Sequence, residues 1–287
     1  MRPPRIPIRV AAAGGVLAPV TFAVGLFVGD LAQPEAFSPA NDDLSDLGAL
    51  GASSPWLYNQ VAANLSGLLV VCLALGLWQV LGPGRLARSG VLGLTVAGTG
   101  LFLDGLLRLD CQGIDVGCAN TSWHASAHKI ESGVTAIALL LTPLVLAFAF
   151  RRVPAWRSAW VPTLLATPAL IAVSGAFGTI GEGAATRAGS VGWFVWVGFV
   201  GLWLRRVELR PAGGGAGGRG SCSGERLLEE EDVEPDDEHC DAGGDDGRRA
   251  SVDERAHDRP VATEPQERNE RERDPEGEDD LAEDERA

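Results

Sequence analysis

The stretch DCQGIDVGCANTSWHASAHKIES, Asp110 to Ser132, gathers two cysteines, two histidines and several acids at spacings that can do chemistry. His124, His128 and Glu131 are spaced by four and then three residues. On a helix that begins near Ser122, a residue suited to capping it, they share one face. Two neutral imidazoles and a carboxylate can hold zinc or another divalent cation, or relay protons. The plainer alternative is a polar helix end bonded to neighbouring loops. Cys111 and Cys118 can close as a disulfide, ligate a metal or stay as thiols. Written as ligands the stretch is C-x6-C-x5-H-x3-H, and its cysteine spacing and linker differ from structural zinc fingers. No cofactor is expected beyond such an ion.

Other ionisable residues belong to the same level of the chain. Asp104 and Arg108, four residues apart in favourable order, can pair along a helix. Charged groups inside an apolar run usually face a bundle interior or a wet cavity. Asp46, in the segment NDDLSDLGALG, and Glu182, near Arg187, can join them from other loops. In that segment Asp42, Asp43 or Ser45 can cap a short helix that Gly48 or Gly51 ends. An interhelical salt-bridge network of the same residues is the structural counterpart of a functional pocket.

These residues are positioned by six apolar runs: Val10–Leu31, Leu57–Leu81, Ser89–Leu109, Ile130–Phe150, Ala159–Ile180 and Ala188–Leu204. A bilayer core about 30 Å thick needs roughly 20 such residues at about 1.5 Å rise each. Lipid cannot hydrogen-bond a bare backbone, so the runs must be helices. The fold class expected is all-α, a six-transmembrane-helix bundle over residues 1–210. The first run is expected to be retained as a span; it lacks a small-residue cleavage site before Gln33 and is long for a signal peptide.

Arginines sort the loops. Arg2, Arg5, Arg9, Arg85, Arg88, Arg151, Arg152, Arg157, Arg205, Arg206 and Arg210 flank one side; Lys129 and Arg187 are nearly alone on the other. Both termini are therefore expected in the cytoplasm and Asp110–Lys129 outside, where oxidation favours a Cys111–Cys118 disulfide. Trp56, Trp123 and Trp193 fall at outer boundaries, and Trp78, Trp156, Trp160 and Trp203 at inner ones, as an interfacial belt requires. Gly93 with Ala97, and Ala172 with Ala176, offer small faces for helix packing.

Residues 211–287 are a different polymer. They carry 10 basic against 27 acidic residues, whereas the first 210 carry 14 against 11. Such a segment cannot bury enough apolar surface to offset its ordering entropy, so a disordered acidic tail is expected. Its charge disfavours nucleic acid and suits a basic cytoplasmic protein partner. One lysine among 24 basic residues, with abundant Ala and Gly, points to a GC-rich, bacterial source and hence to the bacterial cell membrane.

The segment NDDLSDLGALGASSPWLYNQ after a first span, the RLDC and HASAH elements around the next outer loop, and the loop RRVPAWR together resemble the bacterial domain of unknown function 998 family. The likeness covers about residues 10–205. It implies a compact six-helix integral membrane protein and carries no catalytic residues with it.

Function follows only in outline. The chain is expected to be a noncatalytic membrane protein whose outward polar cluster binds a small solute, an ion or a lipid headgroup. The alternatives are a metal-assisted intramembrane lipid hydrolase and a scaffold acting through its acidic tail. Rossmann, P-loop and serine-hydrolase patterns are absent, and the bilayer itself is the one partner the composition demands.

Overall fold

The structure, a computed structural model, describes residues 6–209; the acidic tail lies outside the described residues. Six helices run in series: α1 (Ile8–Leu31), α2 (Leu57–Val80), α3 (Arg85–Asp104), α4 (Trp123–Arg152), α5 (Trp160–Gly178) and α6 (Glu182–Leu209). All six are long and apolar enough to cross a membrane, α5 with the short turn Pro154–Ala159 that leads into it. No strand occurs among the described residues. Each helix packs on the next in sequence, and α6 packs back on α1, so the bundle closes on itself.

Close approach rather than bulky interdigitation sets several crossings. A Cβ on Gly15 of α1 would stand 2.8 Å from the Gly201 Cα of α6. On Gly67 of α2 it would stand 2.5 Å from the Gly98 carbonyl oxygen of α3. In lipid, where burying apolar surface against a neighbour brings little gain, such contacts hold helices together by dispersion. Ala97 is buried, and Gly93 lies against Thr142 of α4. Ala172 and Ala176, by contrast, lie exposed on α5.

Aromatic residues depart from a simple belt. Trp56 and Trp123 are exposed, but Trp193 and Trp156 are core residues. Trp193 lies edge-on to Phe194, which stacks on Phe22 of α1, and Trp156 stacks on Phe150. At the opposite end from the α3–α4 loop, Arg88 lies over Trp78, Arg151 over Trp160 and Arg206 over Trp203.

Helix ends move the expected boundaries. α3 stops at Asp104 instead of continuing to Leu109, with Gly105 pressed against the Asn59 carbonyl and the Asn64 side chain of α2. α4 starts at Trp123, seven residues before Ile130, where the Ser122 hydroxyl accepts the Ala125 N–H at 3.2 Å. α2 opens as a wide π-helical turn over Leu57–Leu65 before continuing as regular α-helix. Wide turns of this kind recur at functional sites. The segment Leu44–Gly48 is a short 3-10 turn lying over this end of the bundle.

The two glycine classes separate in a thermal unfolding experiment in detergent. Gly201→Ala is expected to lower the melting temperature clearly, because overpacking against backbone costs about 1–3 kcal/mol of stability. Gly175→Ala, where an added Cβ meets nothing within 4 Å, is expected to leave it unchanged.

Candidate functional site

Three of the sequence candidates meet. The Asp104 carboxylate at the end of α3, and the imidazole of His128 and carboxylate of Glu131 on α4, offer atoms that all lie within 4.8 Å of one another. His128 Nδ1 is 3.4 Å from Asp104 Oδ1, and the Tyr58 hydroxyl on α2 donates to Asp104 Oδ2 at 2.8 Å. Ser132 Oγ lies 3.4 Å from His128 Nε2, and Thr135 donates to Glu131 Oε1. His128 is 5% exposed, yet its Nδ1 has no well-formed hydrogen bond. Glu131 Oε2 and the Asn64 Oδ1 are likewise buried without a partner. Unpaired buried polar atoms are costly, and three in one neighbourhood mark a place where something polar is wanted.

The other candidates go elsewhere. His124 sits one helical turn, about 6 Å, closer to the start of α4. Its Nδ1 is 2.8 Å from the Arg108 carbonyl oxygen and 2.9 Å from Ser122 Oγ, with Asp110 Oδ1 at 3.7 Å. It therefore pins the loop, and the third position beside His128 and Glu131 belongs to Asp104. Arg108 cannot pair with Asp104 along α3, because the helix has already ended; it makes no ion pair among the described residues. Glu182 is exposed on the first turn of α6, away from the cluster.

Asp46 joins the cap over the cluster. Its Oδ2 accepts the Gly113 N–H at 3.1 Å, and its carbonyl accepts Gln112 Nε2 at 3.1 Å. Gln112 also donates to Gln33 Oε1, and Leu50 N–H to the Leu109 carbonyl, so the loops after α1 and α3 interlock. Cys111 and Cys118 are joined as a disulfide, Cα atoms 6.1 Å apart, so their sulfurs are not metal ligands. Burial pushes the Asp46 carboxyl above its ordinary range, aided by Asp43 and Asp42 and opposed by the Gly113 N–H. Asp110 is held below its ordinary range by hydrogen bonds from Ser122.

Two partners were not singled out in the sequence. Tyr58, the one tyrosine of the chain, lies at the start of an apolar run, inside the segment NDDLSDLGALGASSPWLYNQ, with no ionisable neighbour in sequence to single it out. Asp30 pairs through two bonds with Arg187, at 2.9 and 3.2 Å, and Arg187 also donates to the Asp42 carbonyl at 2.8 Å. An acid inside the first apolar run was the signal that could have found it.

The fold and the cluster together define a polytopic helical membrane protein with a buried polar site at one end. The family described as Protein of unknown function (DUF998) matches residues 16–205, and the chain belongs to that family. No curated protein and no solved structure matches it.

Two outcomes test the cap. Asp46→Ala, which removes the acceptor of the solvent-accessible Gly113 N–H, is expected to cost about 0.5–1.5 kcal/mol in chemical denaturation. Asp46→Asn keeps an oxygen there and loses the charge, so it should equal or exceed the native protein at neutral pH. That advantage should shrink as pH falls through the raised Asp46 titration, where the native side chain is neutral as well. Separately, Asp30→Ala leaves a largely buried Arg187 without its anion; a loss of about 3–5 kcal/mol is expected, against a much smaller loss for the Arg9→Ala change at an exposed pair.

Proposed function

We propose that this protein binds a divalent cation at Asp104, His128 and Glu131, and that this site at one end of the membrane bundle is its working part. The observation that carries it is the convergence of one imidazole and two carboxylates within 4.8 Å, two of the residues holding buried atoms without partners. One nitrogen and two oxygens suit zinc, whose ligands lie about 2.0–2.2 Å from the ion. In tetrahedral geometry two such ligands stand about 3.4 Å apart, so side-chain atoms within 4.8 Å of one another close by up to about 1.4 Å on binding. Tyr58 and Thr135 then act as outer partners that orient the carboxylates.

The arginine-rich end belongs in the cytoplasm by the positive-inside bias, which puts the cation site and the disulfide on the outer side of a bacterial membrane. The disulfide supports that orientation, since such bonds persist in oxidising compartments. A cation held by three protein ligands keeps a fourth position open, which supports a second, catalytic reading: hydrolysis by a metal-bound water. Release of fatty acid from lipid vesicles by the metal-loaded protein, and not by the metal-free one, would favour that reading. The scaffold role of the tail draws on no described residue.

Elemental analysis of protein purified without chelator is the test. About one zinc per chain is expected, lost in His128→Ala and Glu131→Gln but kept in His124→Ala. A metal-free native protein that also takes up none from micromolar zinc would overturn the proposal, as would loss of metal from His124→Ala alone.

A further inference from the structure

A groove of about 440 Å³ runs between α3 and α4 on the outside of the bundle. Its walls are Val96, Leu103, Ile130 and Val134, each more than a third exposed, and its floor is Gly100. Glu131 lines the groove and also belongs to the cation cluster. Gly100 makes this possible: a Cβ there would collide with Thr135 and stand 2.9 Å from Glu131 Oε1. The groove thus leads from the lipid-facing surface to the polar cluster.

Its polarity has a direction. Along α3 it runs from Leu103, next to Asp104, down to Thr95, and along α4 from Ala127, next to His128, down to Thr135. Eight residue-to-residue rises on each helix make about 12 Å of depth. The ionisable groups lie toward the end nearer the membrane surface, and the walls that extend toward the midplane are mostly apolar, with only the hydroxyls of Thr95, Thr99 and Thr135 among them. A lipid of that leaflet has the same order, headgroup first and hydrocarbon below. A helix from a second copy would fill the apolar walls but leave the unpartnered atoms of His128 and Glu131 unmet. Another lateral groove, bounded by α1, α5 and α6, differs in that its Asp30 and Arg187 are already paired with each other.

We infer that the groove and cluster together hold one glycerophospholipid of the surrounding leaflet, an acyl chain between Val96 and Val134 and the headgroup at Asp104, His128 and Glu131. The inference builds on the cation reading, because a bound cation lets two carboxylates accept a phosphate that they would otherwise repel. The chain's place in the groove depends on shape alone.

Native mass spectrometry of the full chain, released from mild detergent with its metal content measured in parallel, separates the two. The native protein is expected to carry one phospholipid per chain. Val134→Trp and Val96→Trp, which fill the groove from exposed positions, should lower that occupancy at least tenfold with metal unchanged. Ile137→Trp, equally exposed on α4 but outside the groove, should leave it intact. Undiminished lipid in both groove variants, or no lipid on a metal-loaded native chain, overturns the inference. Lipid that is bound natively and lost in the groove variants, on protein without metal, upholds the groove and sinks the cation reading instead.

Discussion

A bilayer offers no hydrogen-bonding partner, and most of this structure answers that fact. Backbone N–H and C=O groups must be satisfied within each span, so the chain crosses as helices. Irregular backbone is pushed to the ends: the 3-10 turn of Leu44–Gly48, the loop from Gly105 to Ser122, and the wide opening turn of α2. Within the spans, contact is made by glycines that let backbones touch, such as Gly15 with Gly201 and Gly67 with Gly98. The apolar side chains that remain face outward in number, from Val20 to Leu202, as expected of a surface bathed in lipid.

The same constraint explains why the polar cluster lies where it does. Asp104, His128 and Glu131 sit near helix ends, at the last residue of α3 and in the first three turns of α4. Tyr58 reaches them from the wide first turn of α2. Above them the Asp46, Gln33 and Gln112 network and the Cys111–Cys118 bridge close the loops over one another. The cap closes over the cluster on one side, while the α3–α4 groove reaches its Glu131 from another.

Much of the local structure was readable residue by residue. The six apolar runs, the Ser122 cap and the pairing of Cys111 with Cys118 depend on composition, short spacing and loop length, which neighbours in sequence carry. His124 shows the limit. It shares a helical face with His128, yet a rise of about 6 Å places it at the level of the Arg108 carbonyl instead of Asp104. Face is a property of sequence spacing; depth against another helix is not. Arg108 fails for a related reason, since the i,i+4 rule presupposes a helix that Gly105 and its asparagine neighbours bring to an end.

The sequence by itself determined the class of fold: six helical crossings with the basic residues gathered in alternate loops, because hydropathy and span length are summed along the chain and need no partner. Tertiary structure alone decided which charges meet. Asp30 finds Arg187 across 157 residues, Tyr58 finds Asp104 across 46, and Trp156 and Trp193 turn inward where a boundary belt was expected. Those outcomes depend on helix depth, rotation and the order of packing around the bundle. These are set by glycine contacts between distant segments, and no local pattern encodes them.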